Sequence, residues 1–217
     1  MVGASMSACS KTTSWKEEVL LHDGSKIVVE RSQTREGRHE IGQGPPIKEH
    51  TITFTLAGTN KPITWKSEFS EDIGRSSFYL LVLDIVHGTP YIVAYPVGCP
   101  AYNKWGRPNP PYVVFKYVDT SWKQTVVAEL PGEIKQPNVL INTYGHFDVD
   151  QAVKSGFIPS GAVKKLNGTL TQDELKNILR VPKKHVDMDC GELVLYKGAW
   201  VRPGNSLSKK MMDMKVK

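Results

Sequence analysis

Few of the features that identify a protein class on sight are present in this chain. It has no apolar run long enough to cross a bilayer as a helix, which takes about 20 residues; the segment Tyr79–Leu83 is interrupted by Asp84. Gly-x-Ser-x-Gly, His-Glu-x-x-His, a phosphate-binding glycine loop and Cys-x-x-Cys are all missing, so hydrolase, zincin, nucleotide-binding and thioredoxin-like readings have no support. There is no internal repeat of the kind that marks a solenoid or a propeller. Composition excludes wholesale disorder, since hydrophobic residues make up 40% and charged residues 23% of the 217, as in ordinary folded domains. No cofactor-binding pattern is found.

Charge is plentiful but unevenly placed. Residues 1–150 are close to neutral, and the net charge of +6 arises after residue 150. Lys209, Lys210, Lys215 and Lys217 form a basic tail. Such a tail is most often a solvated, frayed terminus; it can also track an anionic membrane surface, and without interleaved aromatics it points away from nucleic acid.

Cysteine is scarce: Cys9, Cys99 and Cys190. Cys9 follows Met6-Ser7-Ala8 and precedes the polar Ser10-Lys11-Thr12-Thr13. Small residues before a cysteine and a hydrophilic tether after it resemble the lipobox of bacterial lipoproteins, in which that thiol carries a diacylglycerol. A secretory leader also needs a charged start and an apolar core. The eight residues before Cys9 supply neither, so the expectation is a start of translation upstream of Met1. On that reading the mature protein starts at Cys9 and faces an oxidising periplasm, where Cys99 and Cys190 are free to pair. In a reducing cytosol both would be small buried hydrophobes.

Period-2 patterning runs from residue 15 to about 142. Trp15–Leu21 and Lys26–Arg31 flank His22-Asp23-Gly24-Ser25, which predicts a hairpin closed by a tight Asp-Gly turn. Residues 32–46 are polar and read as a long loop. Ile52, Phe54 and Leu56 alternate with threonines as in a half-buried strand. Tyr79–Val86 and Tyr91–Tyr95 predict a second hairpin around His87-Gly88. Tyr112–Val118 and Trp122–Val127 predict a third, and Asn138–Asn142 a further strand. Between them Gly98–Pro111 holds Pro100, Pro108, Pro110 and Pro111, a composition that forbids a ladder and predicts a shaped loop.

The period changes after residue 147. Asp148 is placed to cap a helix ending at Gly156, Ser160 to open one ending at Asn167-Gly168, and Thr171-Gln172-Asp173-Glu174 forms a capping box. Glu192–Tyr196 and Ala199–Val201 make a last hairpin around Lys197-Gly198. The expected fold is mainly β or α+β, a sandwich or open barrel-like antiparallel meander with short helices packed late in the chain. Residues 1–14 read as leader remnant and tether, 15–207 as one domain and 208–217 as basic tail.

The Trp15–Arg31 hairpin, together with the Asn109–Tyr117 stretch and Trp122, resembles segments of an uncharacterised family of proteobacterial lipoproteins. The likeness spans residues 9–142. It implies a lipid anchor at Cys9 and offers no activity to carry over.

Two candidate sites emerge. Tyr102, Asn103, Trp105 and Arg107 combine flat rings, an amide and a guanidinium in one loop, groups that bind sugar rings or peptide segments. His146-x-Asp148-x-Asp150 and His185-x-Asp187-x-Asp189 share a spacing that, in extended backbone, puts an imidazole and two carboxylates on one face. The sequence therefore supports two readings. One is a lipid-anchored, periplasm-facing domain that binds an envelope protein or glycan. The other is a soluble, metal-assisted enzyme built on the two His-Asp-Asp segments.

Overall fold

Apolar residues alternating with threonine and serine build the first sheet. In the computed structural model, which describes residues 11–36, 47–67, 70, 72–73, 78–141, 147–184 and 190–204, β1 (Lys11–Leu20), β2 (Lys26–Arg35), β3 (Ile47–Thr55) and β4 (Pro62–Lys66) form an antiparallel meander. Its outer face carries paired hydroxyls, Thr12 with Thr34, Ser32 with Thr51, and Thr53 with Thr64, at 2.9, 2.6 and 2.8 Å. Its inner face carries Val19, Val29, Ile52, Phe54, Ile63 and Trp65, all buried.

A second antiparallel sheet packs on that face. β5 (Phe78–Val86), β6 (Thr89–Pro96), β7 (Val113–Val118) and β8 (Ser121–Thr125) are joined in chain order. Phe78, Leu80, Leu83, Ile92, Ala94 and Val113 meet the first sheet in one cluster. The described residues thus form a two-layer sandwich, 42% of them in strands and with no closed barrel among them, the mainly antiparallel architecture expected from the alternation.

A β-bulge explains how β5 is buried on both sides. Its register with β6 shifts between Leu80 and Val82, so Leu81 and Val82 fall on the same, outer face while Leu80 and Leu83 point inward. One extra residue inverts the alternation beyond it. The outer face is then covered by Leu130, Ile134, Ile141, Leu175 and Ile178.

The helices differ from expectation in detail. α2 (Phe147–Lys154) begins before Asp148, which lies in its first turn and is not its cap. α3 (Ser160–Asn167) starts after Pro159, and the Ser160 hydroxyl bonds Glu18. α4 (Asp173–Lys176) is a single turn with no side-chain cap, because Glu174 is buried against Lys183 instead of closing a capping box. Between α2 and α3 the short β9 (Phe157–Ile158) adds to β1 in parallel. α2 and α3 enclose Trp15, Leu140, Val149, Val153, Ile158 and Val163. β10 (Val194–Tyr196) and β11 (Ala199–Val201) form the expected last hairpin.

Residues 138–141 are not the predicted strand. Val139, Leu140 and Ile141 each enter a different apolar cluster, which no strand's two-sided alternation permits. The N–H groups of Asn138 and Val139 donate to Leu81 C=O, and side chains take over backbone hydrogen bonds of the rest. Glu17 accepts from Leu140 N–H at 2.6 Å and Arg31 donates to Leu140 C=O at 2.8 Å. Asn167 accepts from Ile141 N–H and donates to Val139 C=O. This segment joins the three clusters into one interior.

Candidate functional site

Gly98 and Pro100 determine what happens in the proline-rich segment. Gly98 takes φ 82° as helix N-cap and Pro100 occupies the first turn, where a missing N–H costs nothing. The segment read as a loop therefore opens with α1 (Cys99–Lys104), and the other three prolines follow it. The helix closes with Trp105 N–H donating to Ala101 C=O at 3.1 Å, and Arg107, at φ 55°, turns the chain back. Trp105 is left at the C-cap, beside the open end of the sandwich.

There it meets two rings of the second sheet, one of which contacts a ring of the first. Its indole lies 5.1 Å from Phe78 and 6.0 Å from Phe115, and Phe115 lies 5.6 Å from Trp65. These tilted and edge-on arrangements are the favoured ones for aromatic pairs. Trp122 completes the wall from β8, its Nε1–H donating to Thr64 C=O at 2.9 Å and so pinning the edge strands β4 and β8 together. Trp65, Phe78, Trp105, Phe115 and Trp122, with Lys66 and Gln124 as polar members, line a cleft of about 390 Å³. That volume falls in the range of small-molecule sites.

The other three predicted binding residues have structural duties. Tyr102 and Asn103 are buried, and Arg107 stacks 5.5 Å above the Tyr102 ring. The Asn103 amide donates to Cys99 C=O and Gly191 C=O and accepts from Leu193 N–H at 2.8 Å. Arg107 donates to Cys190 C=O at 2.9 Å. Together they dock residues 190–193 on α1, where the Cys99 and Cys190 sulfurs are bonded and the Cα atoms lie 5.2 Å apart. Of the predicted quartet, only Trp105 lines the cleft.

A second strut holds α1 from the opposite end. Asp72 accepts from Lys104 Nζ at 3.1 Å and from Trp200 Nε1 at 2.7 Å. Burial pushes its carboxyl up, but hydrogen bonds from Trp200, Ser70 and Lys104 outweigh that and hold it down at about 2. The helix bearing Trp105 is thus fixed to both the 190–193 segment and β11, and a rigid mount lowers the ordering cost of binding at a site.

The remaining cleft residues were not selected from the sequence. Trp65, Phe78, Phe115 and Trp122 sit on four different strands and converge only when the two sheets pack. A partial signal was present, in that Trp122 opens a predicted strand and Phe78 directly precedes one, but strand-pair packing accounted for the tryptophans equally well.

The proposed metal segments fare differently. Asp148 and Asp150 lie in the first turn of α2 and are exposed, so the extended register that would align them is replaced by helix, in which positions two apart diverge. His146, His185, Asp187 and Asp189 lie outside the described residues, as does Cys9. Among the described residues no group of three His, Cys, Asp or Glu side chains is placed to hold a metal ion. Nor, among them, is any helix long and apolar enough to cross a membrane.

The chain matches no protein-family model, no curated protein and no solved structure.

Proposed function

We propose that this is a lipid-anchored, periplasm-facing domain that binds a saccharide chain of the cell envelope in its aromatic cleft. The observation that carries the reading is the cleft itself, a rigidly mounted Trp105 facing Trp65, Phe115 and Trp122, with Lys66 and Gln124 as polar members of its lining. A pyranose ring has a C–H face that stacks on indole and hydroxyls that need donors and acceptors at the edge. The Cys99–Cys190 bond fits an oxidising compartment. Cys9 is the proposed anchor, and the positive charge concentrated after residue 150 would add a second contact with anionic headgroups.

Two measurements test this. Titrating soluble peptidoglycan fragments and neutral oligosaccharides into the folded protein should quench or shift tryptophan emission saturably, and Trp105→Ala should abolish the response. Emission unchanged by every saccharide, or a response that survives Trp105→Ala, removes the cleft from the proposal. Mass spectrometry of protein from its native host should find a diacylglycerol on Cys9; an unmodified Cys9 in a chain still bearing Met1 removes the anchor.

A further inference from the structure

The connection between β1 and β2 is a three-residue loop. Leu21 N–H donates to Ser25 C=O and Gly24 N–H to Leu21 C=O, with Gly24 at φ 84°. A two-residue turn was expected from Asp23-Gly24; the extra residue puts His22 at the head of the loop, over Asp84 of β5. Asp84 is buried, and its carboxylate accepts from His22 Nδ1 at 2.7 Å, from His22 N–H at 3.1 Å and from Ile85 N–H at 2.8 Å. A carboxylate that accepts at Nδ1 fixes the proton there and aims Nε2 away from itself. His22, Asp84, Lys135, Lys164, Glu133 and Ser160 are among the residues lining a cavity of about 700 Å³, larger than the aromatic cleft and sharing no residue with it.

Charge in this cavity is unbalanced. Lys26 is committed to Glu18 at 2.9 Å, and Asp84 is matched by His22. Lys135 and Lys164 have no ion-pair partner among the described residues, and Glu133 is the one further carboxylate in the lining. The α3 N-terminus is already used, since Glu18 accepts from the Ser160 hydroxyl and N–H. A ligand would therefore be held by side chains, with the two free ammonium groups and, once Nε2 is also protonated, the His22 imidazolium supplying its counter-charge.

We propose that this cavity binds a phosphate-type oxyanion, with His22 Nε2–H, Lys135 and Lys164 as its donors and Asp84 as the residue that orients His22. The Asp84 hydrogen bond, and behind it the charges of Asp84, Asp23 and Glu133, raise the His22 proton affinity, while burial opposes them. Binding should accordingly strengthen as pH falls through the His22 titration.

The test follows the His22 imidazole by NMR, assigned by its loss in His22→Gln, while inorganic phosphate and then pyrophosphate are added at constant ionic strength. The expected result is a saturable shift of His22, weakened on the order of tenfold in the Lys135→Gln/Lys164→Gln variant. Both lysines are exposed, so that variant keeps the fold, which an unchanged melting temperature will verify. A parallel titration with phosphatidylglycerol vesicles separates the sources of the phosphate. A His22 shift by vesicles that free phosphate competes away assigns the site to a headgroup; a shift by soluble phosphate alone assigns it to a small metabolite. An equal response to chloride, no response to either phosphate source, or an affinity unchanged in the double-lysine variant would overturn the site.

Discussion

Asn138 completes the free edge of β5 at Leu83. Its Oδ1 accepts from Leu83 N–H at 3.1 Å and its Nδ2 donates to Leu83 C=O at 2.8 Å, and also to Leu20 C=O of β1 at 3.1 Å. One amide side chain thus stands in for a neighbouring strand and ties the two sheets together. An edge strand this apolar would otherwise present unpaired backbone to other chains. Asn138→Ala should cost about 1–3 kcal/mol, the penalty for leaving buried polar groups unpaired. Urea unfolding checks the cost, and faster exchange of the Leu83 amide than of its strand neighbours would locate it.

The buried ion pair beneath residue 140 gives a second prediction. Glu17 and Arg31 are 3.0 Å apart with side chains almost wholly inaccessible, and Trp15 Nε1–H also donates to Glu17. Arg31→Met strands a charge and unlatches Leu140, so it should cost about 3–5 kcal/mol. Removing both charges, in Glu17→Gln/Arg31→Met, should cost less than the two single changes added together, which a double-mutant cycle measures.

His50 predicts an acid-sensitive fold. Burial, aided by the charges of Arg31 and Arg35, holds its imidazole down at about 3, against 6.5 when unfolded. A lowered histidine favours the neutral form in the fold, so this contribution is complete above pH 6.5 and is lost as pH falls toward 3. Urea midpoints should decline across that window, and His50→Asn should flatten the decline whatever it does to stability at neutral pH. His22 works with the opposite sign: its raised proton affinity adds stability below the unfolded value, and that gain fades as pH rises through the folded one.

Reduction should loosen both stability and the cleft. Cys99 and Cys190 are separated by 91 positions, and closing a loop of that size is worth about 4–5 kcal/mol in the chain-entropy account. A reductant, or Cys99→Ser/Cys190→Ser, should lower the melting temperature. It should also alter tryptophan emission, because the 190–193 segment that braces α1 beneath Trp105 is released. Under denaturant without reductant, neither cysteine should react with a thiol reagent.

The sequence carried those parts of the architecture that depend on local pattern. Ile52 and Phe54 alternate with threonine and face the core, and His87-Gly88, with both φ positive, makes the tight turn its residues require. The misreadings share a cause. Val139-Leu140-Ile141 looks like a strand by composition, but its partners are the side chains of Glu17, Arg31 and Asn167, remote in sequence. Asn103 and Arg107 look like ligand-binding groups, yet the carbonyls they satisfy belong to residues 190 and 191. The bulge at Leu81 leaves no mark in an unbroken apolar run. The Trp105 position was readable because it sits among prolines and glycines; its ring partners were not, since only sheet packing unites them.

The link between residues 99 and 190 also decides what a protease can do to this molecule. It spans the whole of β7, β8 and α1 through α4, including the exposed stretch at Val181-Pro182. A cut there severs the polypeptide without yielding two particles. The nicked protein would migrate as a single band until reductant is added, then separate into an amino-terminal body and a carboxy-terminal fragment carrying β10 and β11.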